Sequence, residues 1–265
     1  MKALRQIALA ATLMLLPCVS AAQSLDDVPD DEWNFVITPY LSLPVATTGT
    51  TTVNGFSADV SLDLNDILTN LNFAVSGRFE AWRGKFGGIA DIYYVNIGGS
   101  ETGALPGPGA GQGKIDITLR QGRAALFGAY RFADGTYTDD GLRYRFEAGA
   151  GVQFNLLDQN IEFTRLPDLS GEETWFEPAV MLRGRAQVAD RWTFVTRAEF
   201  GGFGVGGDTL QWNVVAGLDY QPWERTSIGF GWTFYGIDYK TGSGRNAFAY
   251  DIFQTGPFLA ASYRF

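Results

Sequence analysis

The chain has 265 residues, with 20 basic against 29 acidic side chains, a formal charge of −9 and no histidine. A net acidic chain lacks the basic footprint of nucleic-acid binding. Without histidine it has neither the usual general base near neutral pH nor the ligand of histidine-rich metal sites, and its one cysteine, Cys18, excludes an intrachain disulfide.

Lys2 and Arg5 precede an apolar run from Ile7 to Leu16, and Ser20 and Ala22 are small residues at the spacing of a signal-peptidase site. Residues 1–22 therefore read as a signal peptide and 23–31 as a periplasmic segment ahead of the fold. A spanning helix needs roughly 20 apolar residues, and Pro17 cuts this run short. Acylation at Cys18 is disfavoured by the same proline. Loss of Lys2 and Arg5 takes the net charge from −9 to −11.

After residue 22 no apolar run approaches the length of a membrane helix, so a membrane signal has to be written with a period of two. Residues 32–43 set Trp33, Phe35, Ile37 and Leu41 against Asn34, Thr38 and Ser42. Within the polar link 44–71, Thr50–Val53 and Phe56–Val60 flank Asn54-Gly55, a hairpin signal. Asn65 to Leu71 reads as a short helix capped by Asn65, with Ile67, Leu68 and Leu71 on one side. It either folds over or into the outer mouth, or packs on the rim.

Residues 72–82 set Phe73, Val75 and Phe79 against Arg78 and Glu80. In 86–97, which carries Asp91, both faces hold apolar groups. In 114–132 the apolar phase slips near Gln121–Arg123, which predicts a β-bulge or a strand continuing beyond the membrane. Residues 142–155 alternate most clearly: Leu142, Tyr144, Phe146, Ala148, Ala150, Val152 and Phe154 on one face, with Arg143, Arg145 and Glu147 on the other. An arginine at the lipid midplane costs about 2–4 kcal/mol, so the charged face turns to the lumen.

Residues 174–188 then place Phe176, Val180 and Leu182 opposite Glu177, Arg183 and Arg185. Residues 192–203 place Trp192, Phe194 and Phe200 opposite Arg197 and Glu199, and 209–221 place Leu210, Trp212 and Val214 opposite Gln211, Asn213 and Asp219. Ile228 to Phe234 continue the stripe, and the final strand runs over 249–265.

Tight links at Arg83–Lys85, Ala189–Arg191 and Pro222–Arg225 alternate with longer polar links, as expected of short periplasmic turns and longer outer loops. Trp82, Trp192 and Trp223 stand beside the tight links and read as an aromatic girdle. The predicted fold is an all-β, closed antiparallel up-and-down transmembrane β-barrel over 32–265. It has about ten strands, eight if a weak pair fails and twelve if the Asn54-Gly55 hairpin joins the wall. A soluble β-sandwich is the alternative.

The last strand, with Leu259, Ala261, Tyr263 and Phe265 at alternate positions, resembles the terminal strand of Gram-negative outer-membrane β-barrels. The resemblance implies an integral outer-membrane location, contact with outer-membrane lipid, periplasmic chaperones during biogenesis, and recognition of Tyr263 and Phe265 by the barrel-assembly machinery. Trp33 with Thr38-Pro39-Tyr40, the stretch Asp63–Leu71, Arg183-Gly184-Arg185, Gly201 to Gly206 and Gly256-Pro257 look like a widespread group of small outer-membrane barrel proteins. That group has no settled activity, so no functional residue carries over. More distantly the chain is similar to outer membrane protein A and W type barrels, which suggest structural anchoring or passage of small solutes.

Gly202, Gly204 and Gly207 imitate a nucleotide fingerprint, but a strand follows where a helix is required. Outer-membrane barrel enzymes resemble this architecture but rely on histidine. Glu177 or Glu199 as a replacement carboxylate pair is outweighed by structural pairing with Arg183, Arg185 or Arg197. Neither a cofactor nor a metal is expected. The charged groups assigned to the lumen, and so to any pore lining, are Arg78, Glu80, Asp91, Arg143, Arg145, Glu147, Glu177, Arg183, Arg185, Arg197, Glu199, Asp219 and Arg264. They form either an ion-paired plug or the wall of a narrow passive channel, with surface binding through the outer loops as the alternative function.

Overall fold

The computed structural model describes residues 32–104, 112–164 and 168–265. The signal-peptide and periplasmic-segment expectations lie outside them, as does most of the glycine- and proline-rich link after Ala104.

The elements run β1 (Trp33–Ser42), β2 (Ala46–Val53), β3 (Phe56–Asp63), α1 (Leu64–Asn70), β4 (Leu71–Arg83), β5 (Phe86–Ala104) and β6 (Gln112–Thr136). They continue with β7 (Arg143–Phe163), β8 (Leu169–Ala189), β9 (Trp192–Val205), β10 (Asp208–Trp223), β11 (Thr226–Thr241) and β12 (Phe248–Arg264). Ten strands pair in the order β1, then β4 through β12, and β12 returns to β1, closing an antiparallel barrel. Phe265 completes the seam: its N–H donates to the Phe35 carbonyl at 3.0 Å, the Phe35 N–H donates back at 3.2 Å, and the two rings stack at 5.7 Å.

The Asn54-Gly55 hairpin forms, with Asn54 and Gly55 both at positive φ as a tight two-residue turn requires. It does not join the closed wall. β12 pairs with β1 at its lower end, Ser42↔Phe258 to Val36↔Arg264, and with β2 at its upper end, Ala249↔Thr52 to Thr255↔Ala46. The chain changes position at Gly256, where a Cβ would stand 2.1 Å from the Leu43 carbonyl oxygen. β2 and β3 thus extend the sheet above the barrel.

Alternation sorts the side chains as hydrophobicity demands. Val152, Leu182, Leu126 and Phe176 face outward with 53 to 68% exposure, a surface that only an apolar surrounding satisfies. Arg183, Glu147 and Asp91 face inward and are buried. Among the described residues no second sheet covers the Tyr144 to Phe154 stripe, and the single sheet closes on itself, so the sandwich is excluded.

Strand lengths are unequal. β5 to β8 are 19 to 25 residues long, whereas β9 has 14. Since about 9–11 residues cross the hydrocarbon, β5 to β8 project beyond it by roughly ten residues, or about 30 Å. The wall drops at the Gly206-Gly207 turn between β9 and β10, where both glycines have positive φ.

Two expectations need correction here. Of the two readings at Gln121–Arg123 the bulge does not occur, since β5 and β6 pair there without a shift and the irregularity in β6 lies between Arg131 and Ala133, whereas the strand does run on, to 25 residues. The apparent slip arises because Ala125, Phe127 and Ala129, though apolar, face inward. The helix is capped by Asp63, not Asn65: the Asp63 carboxylate accepts from the Asp66 N–H at 2.9 Å and Asp66 returns the bond to the Asp63 N–H at 3.1 Å, a capping box. Ile67 is buried while Leu68 is exposed, and α1 leans on β3 and β5 at the rim.

Candidate functional site

The lumen is crossed by two ion clusters, each joining strands that are not neighbours. In the cluster nearer the tight turns, Arg183 of β8 places Nη1 and Nη2 at 2.7 and 2.8 Å from the two Glu80 oxygens on β4, and Nε at 2.6 Å from Glu147 on β7. Arg185 stands 3.7 and 3.6 Å from the same two carboxylates, and Arg131 of β6 stands 3.9 Å from Glu147. Trp82 donates from its indole to Glu80 at 2.9 Å, with the Arg131 and Arg183 guanidiniums 5.6 and 5.7 Å from its ring. Trp82 therefore belongs to the lumen and not to the girdle. It is an even number of positions from Arg78 and Glu80, so the pleat turns it inward with them. Trp223 is exposed as expected, and Trp192 packs among Tyr220 and Phe230.

In the second cluster Asp91 of β5 gathers Arg78 at 2.9 Å, Arg197 of β9 at 3.2 Å, Arg123 of β6 at 3.5 Å and the Tyr40 hydroxyl of β1 at 2.8 Å. Arg123 also meets Glu199 at 3.3 Å, and Arg197 pairs with Glu199. Ile89, Phe127 and Met181, nearly inaccessible, pack with Trp82 in one apolar cluster. Gly149 of β7 makes room for this filling, since a Cβ there would stand 3.2 Å from Met181 Cε, and Gly151 lets the β6 backbone approach, since a Cβ there would stand 1.9 Å from the Leu126 carbonyl oxygen.

Glu177 is not paired as expected. It is buried further from the tight turns, where Gln153 donates to it at 2.8 Å and the Trp175 indole at 3.0 Å. Asp219 lines the open part of the lumen together with Arg145 and Arg264, and Arg143 stands at the turn end of β7 on the same face as Arg145. Arg123 and Arg131 were missed by sequence reading because the apolar residues between them hid their common face; their even separation was the available signal.

Above the ion clusters the loop end is filled by Val53 of the hairpin with Leu157, Trp175, Ile237, Tyr239, Phe248, Tyr250 and Ile252. Trp175 and Tyr239 stack at 3.9 Å. Beneath this layer the Tyr235 hydroxyl accepts from Gln121 at 3.2 Å and from Gln211 at 2.9 Å, a polar belt from β6 to β10.

An eight-stranded barrel is just filled by its side chains, and ten strands leave a surplus. The surplus lies against β1 and β10 to β12, where Gly217, Gly229, Gly231 and Ala260 occupy inward positions. It is a cavity of about 240 Å³ that reaches the tight turn at Glu224 and Arg225 and stops at Gln121, Tyr235 and Gln254. Among the described residues no group of three or more His, Cys, Asp or Glu converges as a metal site. Glu80, Asp91, Glu147, Glu177 and Glu199 are held by guanidinium, indole, phenol or amide donors.

An apolar band outside, opposite charges inside and ten closed antiparallel strands define a β-barrel of the outer-membrane class. Solved structures with this fold include the outer membrane protease OmpT from Escherichia coli, 10% identical over 92% of this chain and 100% of that one, with a TM-score of 0.52. The translocator domain of the autotransporter NalP from Neisseria meningitidis is 10% identical over 99% and 94% of the two chains, with a TM-score of 0.38. The attachment invasion locus protein Ail of Yersinia pestis, in complex with a heparin analogue, is 9% identical over 89% and 99%, with a TM-score of 0.37. No protein-family model matches the chain, and no curated protein matches it. Identities this low speak to fold alone, and the chain is distantly similar to Gram-negative outer-membrane barrels.

Proposed function

We propose that this protein is a non-enzymatic, integral barrel of the Gram-negative outer membrane whose role is structural and whose lumen is closed to free diffusion at rest. The carrying observation is the direct bonding of strands across the lumen, Arg183 of β8 to Glu80 of β4 and Arg197 of β9 to Asp91 of β5, beneath an apolar layer at the loop end. A path through the clusters would need these contacts to part, which leaves uncompensated buried charge, and a path beside them through the cavity would need the apolar layer and the Gln121–Tyr235–Gln211 belt at the loop end to open. The absence of histidine from the whole chain supports a non-catalytic role, since water or serine would lack the usual base. On this reading Tyr263 and Phe265 engage the barrel-assembly machinery, and the apolar band meets outer-membrane lipid.

Planar-bilayer recording of the purified protein tests the reading. Silence, with heat-dependent migration on a detergent gel as proof of folding, is expected; a steady ohmic current from the wild type rejects it in favour of a channel for small solutes. A second reading, surface binding through the outer loops, is favoured by the projection of β5 to β8 beyond the hydrocarbon.

A further inference from the structure

The barrel closes on itself, but the hairpin above it does not. β2 lies between β12 and β3, and among the described residues no strand pairs with the other edge of β3. Val53 and Phe56 flank the two-residue turn and so exchange backbone bonds. Alternation then aims the N–H and C=O groups of Ala58, Val60 and Leu62 at β2, and those of Ser57, Asp59, Ser61 and Asp63 at the open edge. The Asp63 N–H is taken by the Asp66 carboxylate. Ser57, Asp59 and Ser61 are left as a row of outward donors and acceptors about 14 Å long.

The side chains give this edge a sign. Val60 packs against the apolar layer at the loop end, whereas Ser57, Asp59, Ser61 and Asp63 are exposed. No lysine or arginine occurs between Arg5 and Arg78, so the whole hairpin and α1 carry only acidic charge, at Asp59, Asp63 and Asp66. Edge strands are commonly blunted by lysine, proline or a bulge. β3 contains neither residue, and its pairing with β2 runs without a shift.

We propose that the free edge of β3 is a docking site for an extended, basic polypeptide segment, added as an antiparallel strand with cationic side chains opposite Asp59 and Asp63. Backbone bonds to Ser57, Asp59 and Ser61 supply the attachment, and the two carboxylates, four positions apart on one face, supply the selection. A second copy of this chain is a poor occupant, because it brings its own aspartates to the same edge. A polysaccharide or a lipid headgroup lacks a row of N–H and C=O groups at the spacing of a strand. The site gives the surface-binding reading a class of partner.

Fluorescence polarisation of a labelled, end-blocked peptide Lys-Val-Thr-Val-Lys-Val-Thr, titrated with the full chain folded in detergent, tests the assignment. Saturable binding at one site is expected, weakening as salt rises. Glutamate in place of both lysines should weaken binding about tenfold, since two attractive neighbours become repulsive. N-methylation of the second lysine, which faces Asp59, removes an edge bond and should abolish binding. Ser61→Pro removes one outward N–H without touching the bonds to β2, a change that edge strands tolerate, and should also abolish binding. Asp59→Lys should weaken the lysine peptide about fivefold and strengthen the glutamate peptide. Heat-dependent migration verifies folding of both variants, and the peptide series on the wild type decides the matter if either does not fold. Absence of saturable binding, equal binding of the glutamate or N-methylated peptide, or unchanged affinity in folded Ser61→Pro each overturns the proposal. Self-association of the wild type that Ser61→Pro abolishes overturns it in favour of a second copy. A peptide that does not bind leaves the projecting β5 to β8 able to bind other ligands, and a current across a bilayer leaves this edge as it is, so the readings fail separately.

Discussion

Arg183 and Glu80 sit on strands separated by three others, yet the two terminal nitrogens of the guanidinium lie 2.7 and 2.8 Å from the two carboxylate oxygens. Both side chains are almost inaccessible, at 3 and 6% exposure. Replacing Arg183 by Ala strands Glu80 and Glu147 in a desolvated site, and a loss of about 3–5 kcal/mol is expected in urea unfolding of the detergent- or vesicle-bound barrel. Arg183→Met combined with Glu80→Gln should cost less, because Glu80 is then neutral and Glu147 keeps Arg185 at 3.6 Å and Arg131 at 3.9 Å. Equal loss in the single and double variants would mean that the pair contributes packing and not electrostatics.

Which residues face inward was legible in the sequence, and which of them meet was not. Arg143, Arg145 and Glu147 could be assigned a face because the pleat has a period of two and lipid penalises charge. The meeting of Arg197 with Asp91 depends on how far each strand is staggered around a closed cylinder, which no local pattern records. Trp82 was misplaced because nearness to a turn was weighed above parity with Glu80. The hairpin at Asn54-Gly55 was legible as a hairpin, but its position above the barrel is set by the passage of the Leu43 carbonyl over Gly256, a contact 213 positions apart.

Val152 belongs to the exposed stripe of β7 and is 53% exposed, while the adjacent Gln153 is buried in the lumen. Val152→Arg should destabilise insertion into phospholipid vesicles by about 2–4 kcal/mol. Leu182→Arg, on the neighbouring strand beside Ala148, should act alike. Normal folding of both in bilayers, judged by urea titration, would place this face away from hydrocarbon.

Asp63 and Asp66 cap a helix of seven residues, too short to persist without its cap and the burial of Ile67. Asp63→Ala should cost about 1 kcal/mol of local stability and speed amide exchange over 64–70. Because α1 touches β3 and β5 and lines no part of the lumen cavity, the urea midpoint of the barrel should not move. A shifted global midpoint would show that the helix is coupled to closure of the wall.

Ile237 and Ile252 face each other on adjacent strands, 5 and 2% exposed, in the layer that covers the cavity at its loop end. Exchanging both for Ser replaces a dry layer by one that water can cross, while the ion clusters on the opposite side of the lumen keep their partners. The double variant should therefore pass a steady current where the wild type is silent, at a cost in stability of a few kcal/mol from the lost apolar burial. Deletion of 64–70 is the control and should leave the bilayer silent, since α1 lies outside the path. If the folded double variant stays silent, closure of the cavity resides in the Gln121–Tyr235–Gln211 belt beneath the layer, and the apolar layer serves the packing of the outer hairpin.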